Sequence, residues 1–89
     1  MSETVYKFPL EMQDRQTIRM PVGSRILSCQ LQGGVICLWC LIRGVREETE
    51  PRTILIVGTG WDIEGRTSFI ATVQMEDFVW HVFEEMNAA

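Results

Sequence analysis

The dipeptide Gly33-Gly34 stands between two β-rich runs, and the whole stretch from Arg25 to Ile42 reads R-I-L-S-C-Q-L-Q-G-G-V-I-C-L-W-C-L-I. Two adjacent residues that tolerate positive φ are the chemistry of a tight two-residue hairpin turn. With the turn on those glycines, Gln32 faces Val35 and the pairing steps outward from there. Leu27, Cys29, Leu31, Ile36, Leu38 and Cys40 then share one face, which is wholly apolar and expected to be core. Ser28, Gln30, Gln32, Val35, Cys37, Trp39 and Leu41 form the other. Two readings of that mixed face stand: another part of the chain covers it, or it is a subunit or ligand surface. A one-residue change in loop length would exchange the faces. Val35 to Ile42 is apolar without alternation, as in a central strand covered on both sides, and is too short to cross a bilayer as a helix.

Eighty-nine residues make one domain, with an ordered β core expected over about residues 4–84. A chain this short buries only about 60–65% of the surface it exposes when unfolded. Yet 46% of its residues are apolar, including three Trp and four Phe. Excess apolar surface on a small chain is commonly hidden in an interface, so a homo-oligomer, most simply a dimer, is expected. Eight basic against twelve acidic residues give a net charge of −4. No block of Lys or Arg appears, which argues against nucleic-acid binding through a basic face. The start lacks a basic region and an apolar core of the signal-peptide kind. Three Cys without an export signal fit reduced thiols in a cytoplasm, and no membrane attachment is expected.

The rest of the chain reads as further short strands. Val5 to Leu10 places Tyr6, Phe8 and Leu10 on one face, and Pro9 suggests an edge. Gln16 to Met20 alternates, with Ile18 and Met20 inward and Thr17 and Arg19 outward. Pro21 to Ser24 turns the chain into the hairpin. Arg43 to Arg52 is charge-rich and reads as a solvated loop or an acidic contact loop. Thr53 to Val57 lacks alternation and reads as interior. Ser68 to Met75 puts Phe69, Ala71, Val73 and Met75 on one side, where Phe78, Trp80 and Val82 of a last strand join them in a second hairpin. Glu84 to Ala89 reads as a polar tail. No segment holds a 3.6-residue period. Six to seven short strands with little or no helix imply an all-β fold, a small antiparallel sandwich or a partly open barrel.

The motifs that invite chemistry are thin. Cys37-Leu38-Trp39-Cys40 has C-x-x-C spacing, but residues three apart on a strand point to opposite faces, so packing is the expected role. The two sulfurs, on opposite faces, cannot readily share a metal, and no metal or cofactor is expected. Gly58-Thr59-Gly60 lacks the partners of a Walker or dinucleotide loop. It is either a turn that only Gly fits, or a loop whose amides, with Thr59 and Trp61, meet a ligand. His81, the single His, is expected to be a hydrogen-bonded sheet residue with Thr72 as its cross-strand neighbour. No Ser-His-Asp or Cys-His signature is legible, so catalysis is not expected.

Tyr6-Lys7-Phe8-Pro9-Leu10, Asp14-Arg15-Gln16 with Ile18, Met20-Pro21, Gly23, Ile26-Leu27, Cys37-Leu38-Trp39, Pro51-Arg52, Gly58-Thr59-Gly60 and Val79-Trp80-His81-Val82-Phe83-Glu84 follow in an order that resembles a family of small uncharacterised bacteriophage and prophage proteins. Trp61 stands where members of that family often have His. The resemblance implies a phage or prophage origin, action inside the host cell, and no catalytic residues. The chain is therefore expected to act by binding, on a host protein or on a small anionic metabolite at an oligomer interface. Trp39, Gly58, Thr59, Gly60, Trp61 and His81 are the candidate contacts. A virion or assembly component and a small enzyme using His81 or a Cys are the alternatives.

Overall fold

A computed structural model describes residues 2–86. Among them are seven strands and no helix: β1 (Glu3–Pro9), β2 (Arg15–Pro21), β3 (Arg25–Gln32), β4 (Val35–Arg43), β5 (Thr49–Gly58), β6 (Thr67–Met75) and β7 (Phe78–Glu85). They form two antiparallel sheets, ordered β1-β4-β3 and β2-β5-β7-β6. The layers stack into a slab of 42 × 34 × 16 Å, as two sheets about 10 Å apart require. The edges β3 and β6 meet across the layers without pairing, so the fold is a sandwich and not a closed barrel.

The central hairpin forms as its glycines dictate. Gly33 and Gly34 take φ of 57° and 80°, Gln32 pairs with Val35, and the expected register holds out to Ser28 opposite Trp39. It then shifts, because β3 bulges between Ile26 and Ser28. Leu27, expected in the core, is 47% exposed, and Ile26 packs inward in its place. Leu31, also expected inside, lies near the hairpin tip and is exposed. Cys29, Ile36, Leu38 and Cys40 enter the core as expected. The bulge moved the parity of one strand end, which a count from the turn does not foresee.

A second bulge has the same effect on β6. Met75 pairs with Phe78 and Val73 with Trp80, but the register shifts between Phe69 and Ala71. Ile70 and Ala71 pack against the core while Phe69, expected on the side of Ala71, is 59% exposed and meets Phe83 edge-on. β4 and β5 each run between two neighbours in their sheets, and Pro9 closes the edge strand β1. On the outer face of β4, no strand of the described residues covers Trp39. Trp39 and Leu41 are half-buried and Val35 is exposed, and only Cys37, flanked in register by Pro9 and Gln30, is buried.

The charge-rich stretch is a loop only over its first half. Thr49 to Arg52 belongs to β5 and pairs with β2. Arg52 shares the parity of Ile54 and Ile56 and so faces inward. Glu84, expected in a solvated tail, continues β7 with the parity of Trp80 and Val82 and pairs opposite Ile54. The remainder of that tail, residues 87–89, lies outside the described residues. The Arg52 Nε bonds Glu84 Oε2, and its Nη2 donates to Glu84 Oε1 at 3.0 Å. Its Nη1 donates to the Ser24 carbonyl at 2.8 Å. Only 17% of the Arg52 side chain and 15% of the Glu84 side chain are exposed. Bonding to Glu84 and its charge hold the guanidinium more firmly protonated than usual.

Removing one member strands the other in a largely dry site. Arg52→Met is expected to cost roughly 3 kcal/mol, and Arg52→Met with Glu84→Met together should recover most of that loss. Urea denaturation of the two variants measures the difference. Equal losses in the single and double variants would contradict this account.

Candidate functional site

Gly58 ends β5 and opens a turn closed by the Trp61 N–H donating to the Gly58 carbonyl at 3.2 Å. Gly60 occupies the position that needs positive φ and adopts 91°. Gly58 is required for a different reason: the Trp61 indole lies directly on its backbone. A Cβ built at Gly58 would sit 2.8 Å from Trp61 Cε2. Gly60 thus meets the backbone demand of the turn and Gly58 the space demand of the indole, and the turn delivers Trp61 onto β7.

There Trp61 meets Trp80 edge-on, with ring centroids 5.8 Å apart. Phe78 stacks on Trp80 with ring centroids 5.9 Å apart and planes only 19° apart. The three rings, with Gly58, Thr59, Asp77 and Val79, line a surface cleft of about 410 Å³. Trp61 and Phe78 are 51% and 60% exposed, an unusual display of aromatic surface for one end of a small sandwich. The Trp80 indole N–H is, among the described residues, the one buried side-chain polar atom without a hydrogen-bond partner.

His81 lies on the opposite face of β7. Thr72 is its cross-strand neighbour, as expected, and its hydroxyl is 3.0 Å from Nδ1. The Thr59 hydroxyl is 2.8 Å from Nε2. Both ring nitrogens are thus engaged, and the bond from Thr59 pins the turn that carries Trp61. His81 acts as an anchor for the loop.

Of the residues singled out in the sequence, Gly58, Thr59, Gly60, Trp61 and His81 come together. Trp39 does not: it is half-buried on the outer face of the other sheet. Asp77, Phe78 and Trp80 complete the cleft. In the sequence, Phe78 and Trp80 read as part of the second hairpin and are not connected with the turn. The signal was present in the paired register, which sets Gly58 opposite Trp80 and leaves no Cβ between that ring and the turn.

The cysteines are free and buried. Cys40 faces the core and Cys37 the outer side, as expected from their spacing. Burial pushes the Cys29 thiol up to about 11, with Cys37 and Cys40 adding to it. Burial likewise pushes Cys40 up to about 11, with Arg52 opposing and Glu84 adding. These are unreactive thiols, since the thiolate is the nucleophile. No group of three or more His, Cys, Asp or Glu is positioned to hold a metal among the described residues. Nor, among them, is any helix long and apolar enough to cross a membrane.

Two outcomes follow. Gly58→Ala should leave the fold intact but push the exposed Trp61 off its seat, abolishing the exciton signal of the Trp61–Trp80 pair in circular dichroism. For the thiols, an acid whose value is raised by folding releases its proton first in the unfolded chain. Stability should therefore be untouched by Cys29 and Cys40 near neutrality and fall as pH rises from the ordinary thiol range to about 11. Denaturant melts at stepped pH should show that decline flattened in a Cys29→Ala, Cys40→Ala variant.

No curated protein and no solved structure matches the chain. The family comparison, in contrast, covers it from end to end: over residues 1–89 the sequence matches the domain of unknown function DUF7352, and the chain belongs to that family.

Proposed function

We propose that this protein works by binding a partner protein through the Trp61–Phe78–Trp80 cleft, without catalytic turnover. The observation that carries the reading is the pair of half-exposed aromatics, Trp61 seated against Trp80 by the Gly58–Trp61 turn and Phe78 stacked on Trp80 along β7. Rigid aromatic anchors dominate binding hot spots. The engaged ring of His81 and the buried, unreactive thiols support binding over chemistry.

The partner is a host protein, in a phage or prophage accessory role; that context rests on the sequence resemblance. A protein partner is favoured over a small anionic metabolite by the cleft's charge. Its one charged lining residue is Asp77, no Arg or Lys lines it, and the Trp61 amide is already bonded within the turn. The protein acts in the host cytoplasm as a homo-oligomer, whose self-contact fits the open outer face around Trp39, Val35 and Leu41. A virion component, the alternative role, would instead use these surfaces to build large assemblies.

Affinity capture from host lysate with wild-type protein and Trp61→Ala provides the test, alongside sedimentation. The expected result is a discrete partner lost on Trp61→Ala and a small oligomer in solution. Capture indifferent to Trp61→Ala would remove the cleft from the function, and large regular assemblies would favour the structural role. An activity found in the protein and lost in His81→Gln would restore an enzymatic one.

A further inference from the structure

The cleft has an electrostatic character that its aromatic content alone does not convey. Its walls are the indoles of Trp61 and Trp80 and the ring of Phe78, and its single charge is the carboxylate of Asp77. Glu76 precedes Asp77 in the same turn. Aromatic faces carry negative potential and attract cations held over them. A nearby carboxylate adds to that attraction, and the protein as a whole carries −4. Trp61 and Phe78 keep about half or more of their surface open, so a head group can reach the rings from solvent.

Resting on the binding function above, we propose that the cleft recognises an organic cation, the ammonium or guanidinium head of a Lys or Arg side chain presented by a basic segment of the partner protein. The methylene stem behind such a head packs on the indoles while its charge faces Asp77. An anionic or wholly aliphatic anchor would gain nothing from the carboxylate. The charge complementarity selects the basic segment over a hydrophobic one.

Choline and its uncharged carbon isostere 3,3-dimethylbutan-1-ol share one shape and differ in charge, so the pair isolates the cation term. Titration of each into the purified protein, followed by tryptophan fluorescence, should show saturable binding of choline and at least tenfold weaker binding of the alcohol. Asp77→Asn should weaken choline about fivefold, and Phe78→Ala about threefold. Glu47→Gln, an equal loss of charge on the Gly44–Glu48 loop, should leave it unchanged. Retained circular dichroism in each variant excludes misfolding. Equal binding of choline and the alcohol, or indifference to Asp77→Asn, would overturn the inference. A partner captured through Trp61 while choline fails to bind would likewise overturn it, yet would leave the binding function standing. Loss of Trp61-dependent capture with choline binding intact would remove the function and keep the cation site.

Discussion

The bidentate contact of Arg52 with Glu84 holds together the place where the chain changes sheets. β2 lies in the four-stranded sheet and β3 in the three-stranded one, so Pro21 to Ser24 must carry the backbone across the gap between layers. Arg52 reaches that crossing from β5 and bonds the Ser24 carbonyl, while Glu50 accepts from the Gly23 N–H at 2.9 Å. Ser24 is buried and its hydroxyl donates to the Pro21 carbonyl at 2.6 Å. A crossing segment cannot use a ladder for its own polar groups, and buried backbone must find partners. Here the partners are the Arg52 guanidinium, the Glu50 carboxylate, and the carbonyls of Glu48 and Pro21, which accept from the Val22 and Ser24 N–H groups. The net energy of such a pair is small, but its contacts fix where one layer ends and the other begins.

Much of this architecture is legible in the sequence. Gly33-Gly34 sets the central register, Met75 and Phe78 set the second hairpin, and the apolar runs of β4 and β5 mark the interior strands. The displaced faces of Leu27 and Phe69 have one physical source. Parity counted from a turn is valid only until a bulge, and bulges at Leu27 and Ile70 leave no composition signature. Arg52 and Glu84 were lost for another reason. Their charge suggested solvent, whereas their parity, carried outward from Ile54 and Val82, placed them inside.

The candidate site divides in the same way. Gly58, Thr59, Gly60, Trp61 and His81 stand out because glycine pairs, exposed-type aromatics and a single histidine are locally conspicuous. Phe78 and Trp80 do not, because on an alternating strand they look like ordinary core. What joins the two groups is a tertiary fact: the ring of Trp61 folds over a residue with no side chain. The unpaired indole N–H of Trp80 lies in this cluster, a local violation of polar satisfaction of the kind folds tolerate where a surface is used.

The two interrupted ladders face each other along the open flank of the sandwich. Kinked borders of this kind make poor templates for an incoming backbone, so another polypeptide would gain little by zipping alongside. On that flank, contact with another chain would fall to side chains and not to a continued ladder.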